Sequence, residues 1–337
     1  MSAASANQRL HWADYGRGVA ILLVVNVHSA AGVQGSTLPM PEPFGTYYYV
    51  GITSFIMPMF FLLSGLFARR SLDRGLWSYT RGKLWAILYP YLLWSVVLAG
   101  ARSVLGAYAN QPMTLERVAS IAWDPIQQLW FLYVLMFCFL LYVLLARLPT
   151  WLHLAVAMAL QVAQTGFHLG ILDKCLGHYI YFAVGVALAG KAASILERMP
   201  PRQALALVGL FAVACAHYMW MMVTPLRIET HPVIGVYPQW THVALLGIFA
   251  TLAVGEMLDR WKPQAWLIYI GRLSMPIYLA HLIATAGTRV VLLKFFDLQD
   301  VTLHIILGTA AGVIFPILLF RFSKRLGAER WFGFGTA

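Results

Sequence analysis

What most constrains this chain is a succession of ten apolar stretches, most of them long enough to carry a helix across the roughly 30 Å hydrocarbon core of a bilayer. They run at about 17–33, 47–68, 84–105, 126–146, 150–167, 176–190, 204–223, 240–258, 273–293 and 301–322. A helix that is apolar all round is stable only where protein or lipid surrounds it. The expected fold is therefore all-α, a polytopic integral membrane bundle of about ten transmembrane helices that takes residues 1–337 as one domain. Composition agrees: 60% of the residues are hydrophobic and 11% charged, against about 25% charged in soluble domains. The fifth and sixth stretches are short, because Gln161, Gln164 and His168 interrupt one and His178 opens the other.

Charge placement gives the orientation. With the amino terminus inside, only Arg102, Arg117, Lys174, Arg227, Arg289 and Lys294 fall on the outer side, leaving eighteen of the 24 lysines and arginines inside. That asymmetry is the positive-inside pattern, and it places both termini in the cytoplasm. A single miscounted span would move every later loop to the wrong side. The net charge of +11 is thus explained by topology. Nucleic-acid binding would need a basic patch on one face, and these residues are scattered between apolar runs. Cys138, Cys175 and Cys215 are widely spaced with no CxxC pair, so neither disulfides nor structural zinc is expected. The polar first sixteen residues carry no cleavable-signal pattern. No repeat relates the two halves. Trp77-Ser78-Tyr79 and Trp331 near proposed span ends read as interfacial anchors.

The first stretch holds the residues best suited to chemistry. Asp14, Arg17 and His28 lie in DYGRGVAILLVVNVH. Eleven residues separate Arg17 from His28, so a helix turns through 1100°, about 20° from a whole number of turns, and rises about 16 Å. The two side chains share a face, one at the cytoplasmic mouth and one deep in the membrane. Asp14 stands three residues before Arg17, the spacing of a helical ion pair. Ionisable groups at such depth are costly to bury and mark functional sites. Arg17 as a snorkelling anchor and His28 as a packing hydrogen bonder are the plainer alternatives. Acyl transfer gives a reason for both residues. A donor such as acyl-CoA carries phosphates that need cations, and the accepting hydroxyl needs a base.

At this point the chain resembles a known family. Asp14-Tyr15-Gly16-Arg17-Gly18 followed by an apolar run to His28 is similar to the signature of acyltransferase family 3, a basic residue and ten others before a histidine. Residues 58–67, PMFFLLSGLF, resemble the family's P-x-F-F-x-x-S-G-F segment, and residues 274–281, SMPIYLAH, its S-x-x-I-Y-x-x-H segment. Trp130-Phe131-Leu132 resembles its W-F-L run. Together these cover nearly the whole chain in order. The resemblance implies a multi-pass protein of the cell inner membrane. It would move an acyl group, commonly acetyl, from acyl-CoA to hydroxyls of exopolysaccharides, lipopolysaccharides or related glycoconjugates. One departure is the family's R-x-x-R before the third span, which here reads Arg81-Gly82-Lys83-Leu84, leaving Lys83 as a substitute without arginine's bidentate fork.

The expected catalytic set is His28, Arg17, Asp14 and His281. The expected donor-binding set is Arg17, Ser64, Gly65, Arg81, Lys83, Ser274 and Tyr278. No metal and no tightly bound cofactor is expected, with acetyl-CoA or another acyl-CoA as co-substrate. Expected partners are that donor, a glycan or glycolipid acceptor, the bilayer and polysaccharide-assembly proteins, with no nucleic acid. Topology brings Ser64 and Gly65 level with Arg17 and sets His281 about 10 Å deeper than Ser274, towards His28. Ser64 and Gly65 read equally as a ligand contact or a packing notch. His28 is either a general base or a nucleophile carrying the acyl group. His217, His231, His242 and His304 show no metal spacing, while His168 and His178 lie near the outer face. No G-x-S-x-G elbow or phosphate-binding glycine loop is present. The rival reading is a transporter or flippase of a glycolipid or small solute, for which intramembrane histidines would also serve.

Overall fold

Residues 11–36, 38, 44–104, 119–166, 169–223 and 240–335 are described by a computed structural model. Arg117, His168, Arg227 and His231 lie outside them. Among the described residues every regular element is helical and none is a strand. In chain order they are α1 (His11–Gln34), α2 (Phe44–Leu66), α3 (Ala68–Leu72), α4 (Leu76–Lys83), a π-helical turn (Leu84–Leu88), α5 (Tyr89–Val104), α6 (Trp130–Leu145), α7 (Thr150–Ala163), α8 (Ile171–Leu188), α9 (Ala192–Glu197), α10 (Pro201–Val223), α11 (Thr241–Trp261), α12 (Ala265–Arg272), α13 (Ser274–Phe295) and α14 (Val301–Arg325).

All ten apolar stretches become helices. Among the described residues, eight helical stretches are long and apolar enough to cross a membrane, namely α1, Leu76–Ser103, Ser120–Leu145, α8, Pro201–Met221, α11, α13 and α14. The other two are shorter: the apolar part of α2, Gly51–Leu66, and α7, whose 14 residues rise only about 21 Å. Outward faces are apolar, with Leu144, Leu205 and Val213 more than half exposed, as lipid contact requires.

Gln161 and Gln164, which interrupt the fifth stretch, turn inward. Gln161 is fully buried, donates to the Gly177 carbonyl at 3.1 Å and accepts from the Thr241 hydroxyl at 2.9 Å. His153 meets the Tyr179 hydroxyl at 2.7 Å. Interhelical hydrogen bonds thus tie α7 to α8 and α11, in a setting where apolar surface alone gives little drive to associate.

Two boundaries differ from the sequence expectation. The third span begins at Leu76 rather than near 84, because Tyr79 and Lys83 of the polar stretch LWSYTRGK fold into the bundle. The Tyr79 hydroxyl donates to the Phe139 carbonyl at 2.9 Å, and the Lys83 ammonium lies 3.8 Å from the Phe139 ring centroid. Tyr79 is accordingly a buried packing residue and not an interfacial anchor, whereas Trp77 is exposed. The π-helical turn follows directly and leads into Pro90. Proline lacks the N–H of an α-helical bond and crowds the carbonyl four residues back, so a widened turn accommodates it. The second difference is α12, which occupies an expected loop. Eight residues are too few to span, and α12 instead packs on α1.

α1 is the central helix and touches α2, α11, α12, α13 and α14. Its Ile21, Val24 and Val25 are sealed from solvent. Gly271 of α12 permits the closest approach: a Cβ built there would lie 1.9 Å from the Asp14 carbonyl oxygen. α1 and α13 run in the same direction, since Arg272, just before α13, meets Asp14 while Arg289 donates to the carbonyl of Gly32.

Candidate active site

Two groups of functional side chains lie along α1. At its start, the buried Asp14 carboxylate accepts from Arg17 through Oδ1 at 3.0 Å and from the Arg272 Nε through Oδ2 at 3.1 Å. One carboxylate between two guanidiniums leaves a net positive charge. Arg17 and Arg272 are each about one-third exposed, so that charge reaches solvent. The Arg17 guanidinium also sits 5.6 Å from the ring centroid of Phe67, which is 37% exposed. Phe67 in turn lines a surface hollow of about 320 Å³ with Arg70, Ser71 and Arg74. Three arginines therefore border or stack on one hollow at this end of the bundle, a setting suited to phosphate groups.

About 16 Å further along α1, His28 meets His281 of α13, their ring centroids 5.0 Å apart and their planes at 72°. His28 Nδ1 lies 2.8 Å from the Val24 carbonyl, and His281 Nδ1 lies 2.7 Å from the Tyr278 carbonyl. A carbonyl can only accept, so each ring carries a proton on Nδ1, and in its neutral form keeps a lone pair on Nε2. Helical backbone thus orients both rings, with each Nε2 turned away from its own helix's carbonyls. His281 is fully buried and its Nε2 has no hydrogen-bond partner. His28 opens on a cavity of about 450 Å³ that extends away from the Arg17 end, past Ser29, Gly32, Thr285 and Arg289. This cavity and the hollow beside Arg17 share no lining residue.

The remaining candidates divide. Tyr278 lies in the histidine group: its ring stands 6.3 Å from that of His281 and 5.4 Å from that of Phe131, and its hydroxyl donates to the Gln128 carbonyl. Ser274 begins α13 just after Arg272. Ser64 is one turn before Phe67 and gives its hydroxyl to the Phe60 carbonyl at 2.8 Å. Gly65 faces α8, where a Cβ would come within 2.1 Å of the Phe182 carbonyl oxygen, so it is the packing notch of the two readings offered for that segment. Arg81 is exposed on α4. Lys83 points inward, onto the Phe139 and Tyr79 rings. His178 is buried within the protein between Phe61 and Trp130.

Sequence reasoning missed Arg272 as a site residue, and with it both cavity arginines, Arg102 and Arg289. Arg289 had an available signal. It falls inside the run 273–293, and the rule that singled out His28 as a costly intramembrane group applies to it equally.

Comparison with known proteins adds one finding. A family model described as an acyltransferase domain, that of acyltransferase family 3, matches residues 10–321 of the 337. No curated protein and no solved structure is significantly similar to the chain.

Proposed function

Because the chain belongs to acyltransferase family 3, we propose that this multi-pass membrane acyltransferase takes its acyl group from cytoplasmic acyl-CoA, chiefly acetyl-CoA. The acceptor is a hydroxyl of an exopolysaccharide, lipopolysaccharide or related glycoconjugate. The reading assigns the Arg17 end and both termini to the cytoplasm, and the membrane to the cell inner membrane. The observation that carries it is the pairing of His28 with His281 at a cavity wall, about 16 Å along α1 from the cationic hollow beside Arg17.

In this reading Arg17 and Arg272, set by Asp14, and the nearby Arg70 and Arg74 hold the donor's phosphates. The acyl arm crosses the intervening layer to reach His28. An acceptor hydroxyl enters the cavity on the far side and gives its proton to His28 Nε2 as its oxygen attacks the thioester carbonyl. The C–S bond then breaks, the thiolate recovers that proton from the imidazolium, and an ester and free CoA leave. His281, at edge contact with His28, stabilises the transient positive charge and fixes the ring. The same nitrogen also suits direct attack to form an acyl-imidazole, which rapid quenching of the enzyme with labelled donor alone would trap.

The test is transfer of label from acetyl-CoA to glycan by detergent-purified protein. His28→Ala should lower the rate by at least about a hundredfold, with expression and membrane insertion unchanged. Wild-type transfer by that variant, or movement of acceptor across vesicles with no dependence on acyl-CoA, would remove the reading.

A further inference from the structure

Most polar groups lining the cavity beyond His28 are already engaged. The Ser29 hydroxyl donates to the carbonyls of His304 and Ile305, and that of Thr285 to the Leu282 carbonyl at 3.2 Å. Neither Arg102 nor Arg289 is without a partner. Gln127 also lines the cavity; it is exposed, and its side-chain amide has no hydrogen-bond partner among the described residues. Its backbone has φ +42°, in the left-handed region where a Cβ is crowded and glycine is the ordinary occupant. Such strain persists only where the surroundings fix it. Here Ile126 and Leu129 are fully buried, and the Gln128 carbonyl accepts from the hydroxyl of Tyr278, three residues before His281 on α13. The turn is thus tied to the helix that carries the second histidine. Gln128 adds a further cost: it is buried, and neither the nitrogen nor the oxygen of its amide has a partner, although native proteins satisfy nearly all such groups.

A strained turn that carries unpaired amides at a cavity wall suits a ligand rich in hydroxyls. An amide both donates and accepts, as a hydroxyl does, so one glutamine can pair with two adjacent hydroxyls of a sugar ring. The ring's C–H faces would then lie on the aliphatic part of the wall, formed by Leu98, Ala101, Leu282 and Ile283. We infer that Gln127 holds the acceptor through neighbouring hydroxyls of a neutral pyranose, and so decides which hydroxyl is presented to His28. The inference rests on the acyl-transfer reading for the reaction, though not for sugar binding itself. A glycine would occupy this position with less strain, so the left-handed glutamine is accounted for by where it sets its amide and not by the stability of the turn.

Detergent-purified full-length protein titrated calorimetrically with the methyl α-glycosides of glucose, galactose and mannose supplies the test, with transfer from acetyl-CoA to each followed in parallel. These sugars differ only in the orientation of single hydroxyls, so the wild type should prefer one of them. Gln127→Gly removes the amide and relieves the backbone. It should melt no lower than the wild type, yet bind the preferred glycoside about tenfold more weakly, with the KM for acetyl-CoA unchanged. Gln127→Asn, which keeps an amide and tolerates the left-handed region, should retain part of the affinity. Equal affinity of wild type and Gln127→Gly for every glycoside, no binding of any, or a weakening confined to acetyl-CoA would overturn the contact. A lower melting temperature for Gln127→Gly would make the side chain structural and overturn it too. Glycoside binding that depends on Gln127, with no transfer to any acceptor, would leave the contact standing and remove the enzyme reading. Transfer by Gln127→Gly at the wild-type rate and KM would do the reverse.

Discussion

Replacing Gly271 by alanine tests how closely the Arg17 end depends on backbone contact. The added methyl would lie 1.9 Å from the Asp14 carbonyl oxygen, 2.8 Å from its carbon and 3.0 Å from the Gly18 nitrogen. All three are main-chain atoms of α1, so no side chain can swing away. Restoring an ordinary contact, from 1.9 Å to at least 3.4 Å, requires α12 to withdraw by about 1.5 Å. Applied to the 3.1 Å Arg272–Asp14 contact, the same movement gives about 4.6 Å, beyond hydrogen-bond range. Overpacking of this kind costs about 1–3 kcal/mol. The expected result is a lower melting temperature in detergent and a raised KM for acyl-CoA, with kcat changed much less, because the histidine pair lies about 16 Å away. Gly209→Ala is the control, since a Cβ there meets nothing within 4 Å. If Gly271→Ala melts and turns over like the wild type, the close approach of α12 to α1, and the donor role built on it, is refuted.

Three further outcomes can be measured. Asp14→Asn leaves Arg17 and Arg272 facing each other without their shared carboxylate, and should raise the KM for acyl-CoA about tenfold and cost about 1–3 kcal/mol of stability; an unchanged KM argues against the cluster as the donor's anchor. His281→Ala should lower kcat at least tenfold while leaving the KM for donor near its wild-type value, and a change confined to KM would move His281 from the chemistry to binding. Gln161→Leu removes the bonds to Gly177 and Thr241 and should cost about 0.5–2 kcal/mol, read as faster thermal inactivation with the initial rate preserved.

The helical architecture was legible because lipid imposes it. Every apolar run of sufficient length became a helix, and the one-face relation of Arg17 and His28 followed from helical periodicity. The meeting of His28 with His281 was legible too, since the directions of α1 and α13 and the depth of each histidine come from counting residues. What could not be read was which polar residue turns inward. Tyr79 looks like an interfacial anchor in sequence and Lys83 like a donor-binding cation, yet both pack on Phe139, a contact with no local signature. Arg272 was hidden for a similar reason: its partner, Asp14, lies 258 residues away. Gly65 was ambiguous because a glycine beside serine looks the same whether a ligand or the backbone of α8 approaches it.

The sealed stretch of α1 between its two polar groups bears on the energetics of the membrane as a whole. Ile21, Val24 and Val25 are 0–1% exposed, and a proton or hydrated ion crossing beside them would shed its water against hydrocarbon side chains, at a cost of many kcal/mol. A bundle with one recess beside Arg17 and another beyond His28 can thus sit in an energised bilayer without short-circuiting its ion gradients. Substitution of Val24 or Val25 by serine would be expected to show itself first as leakage.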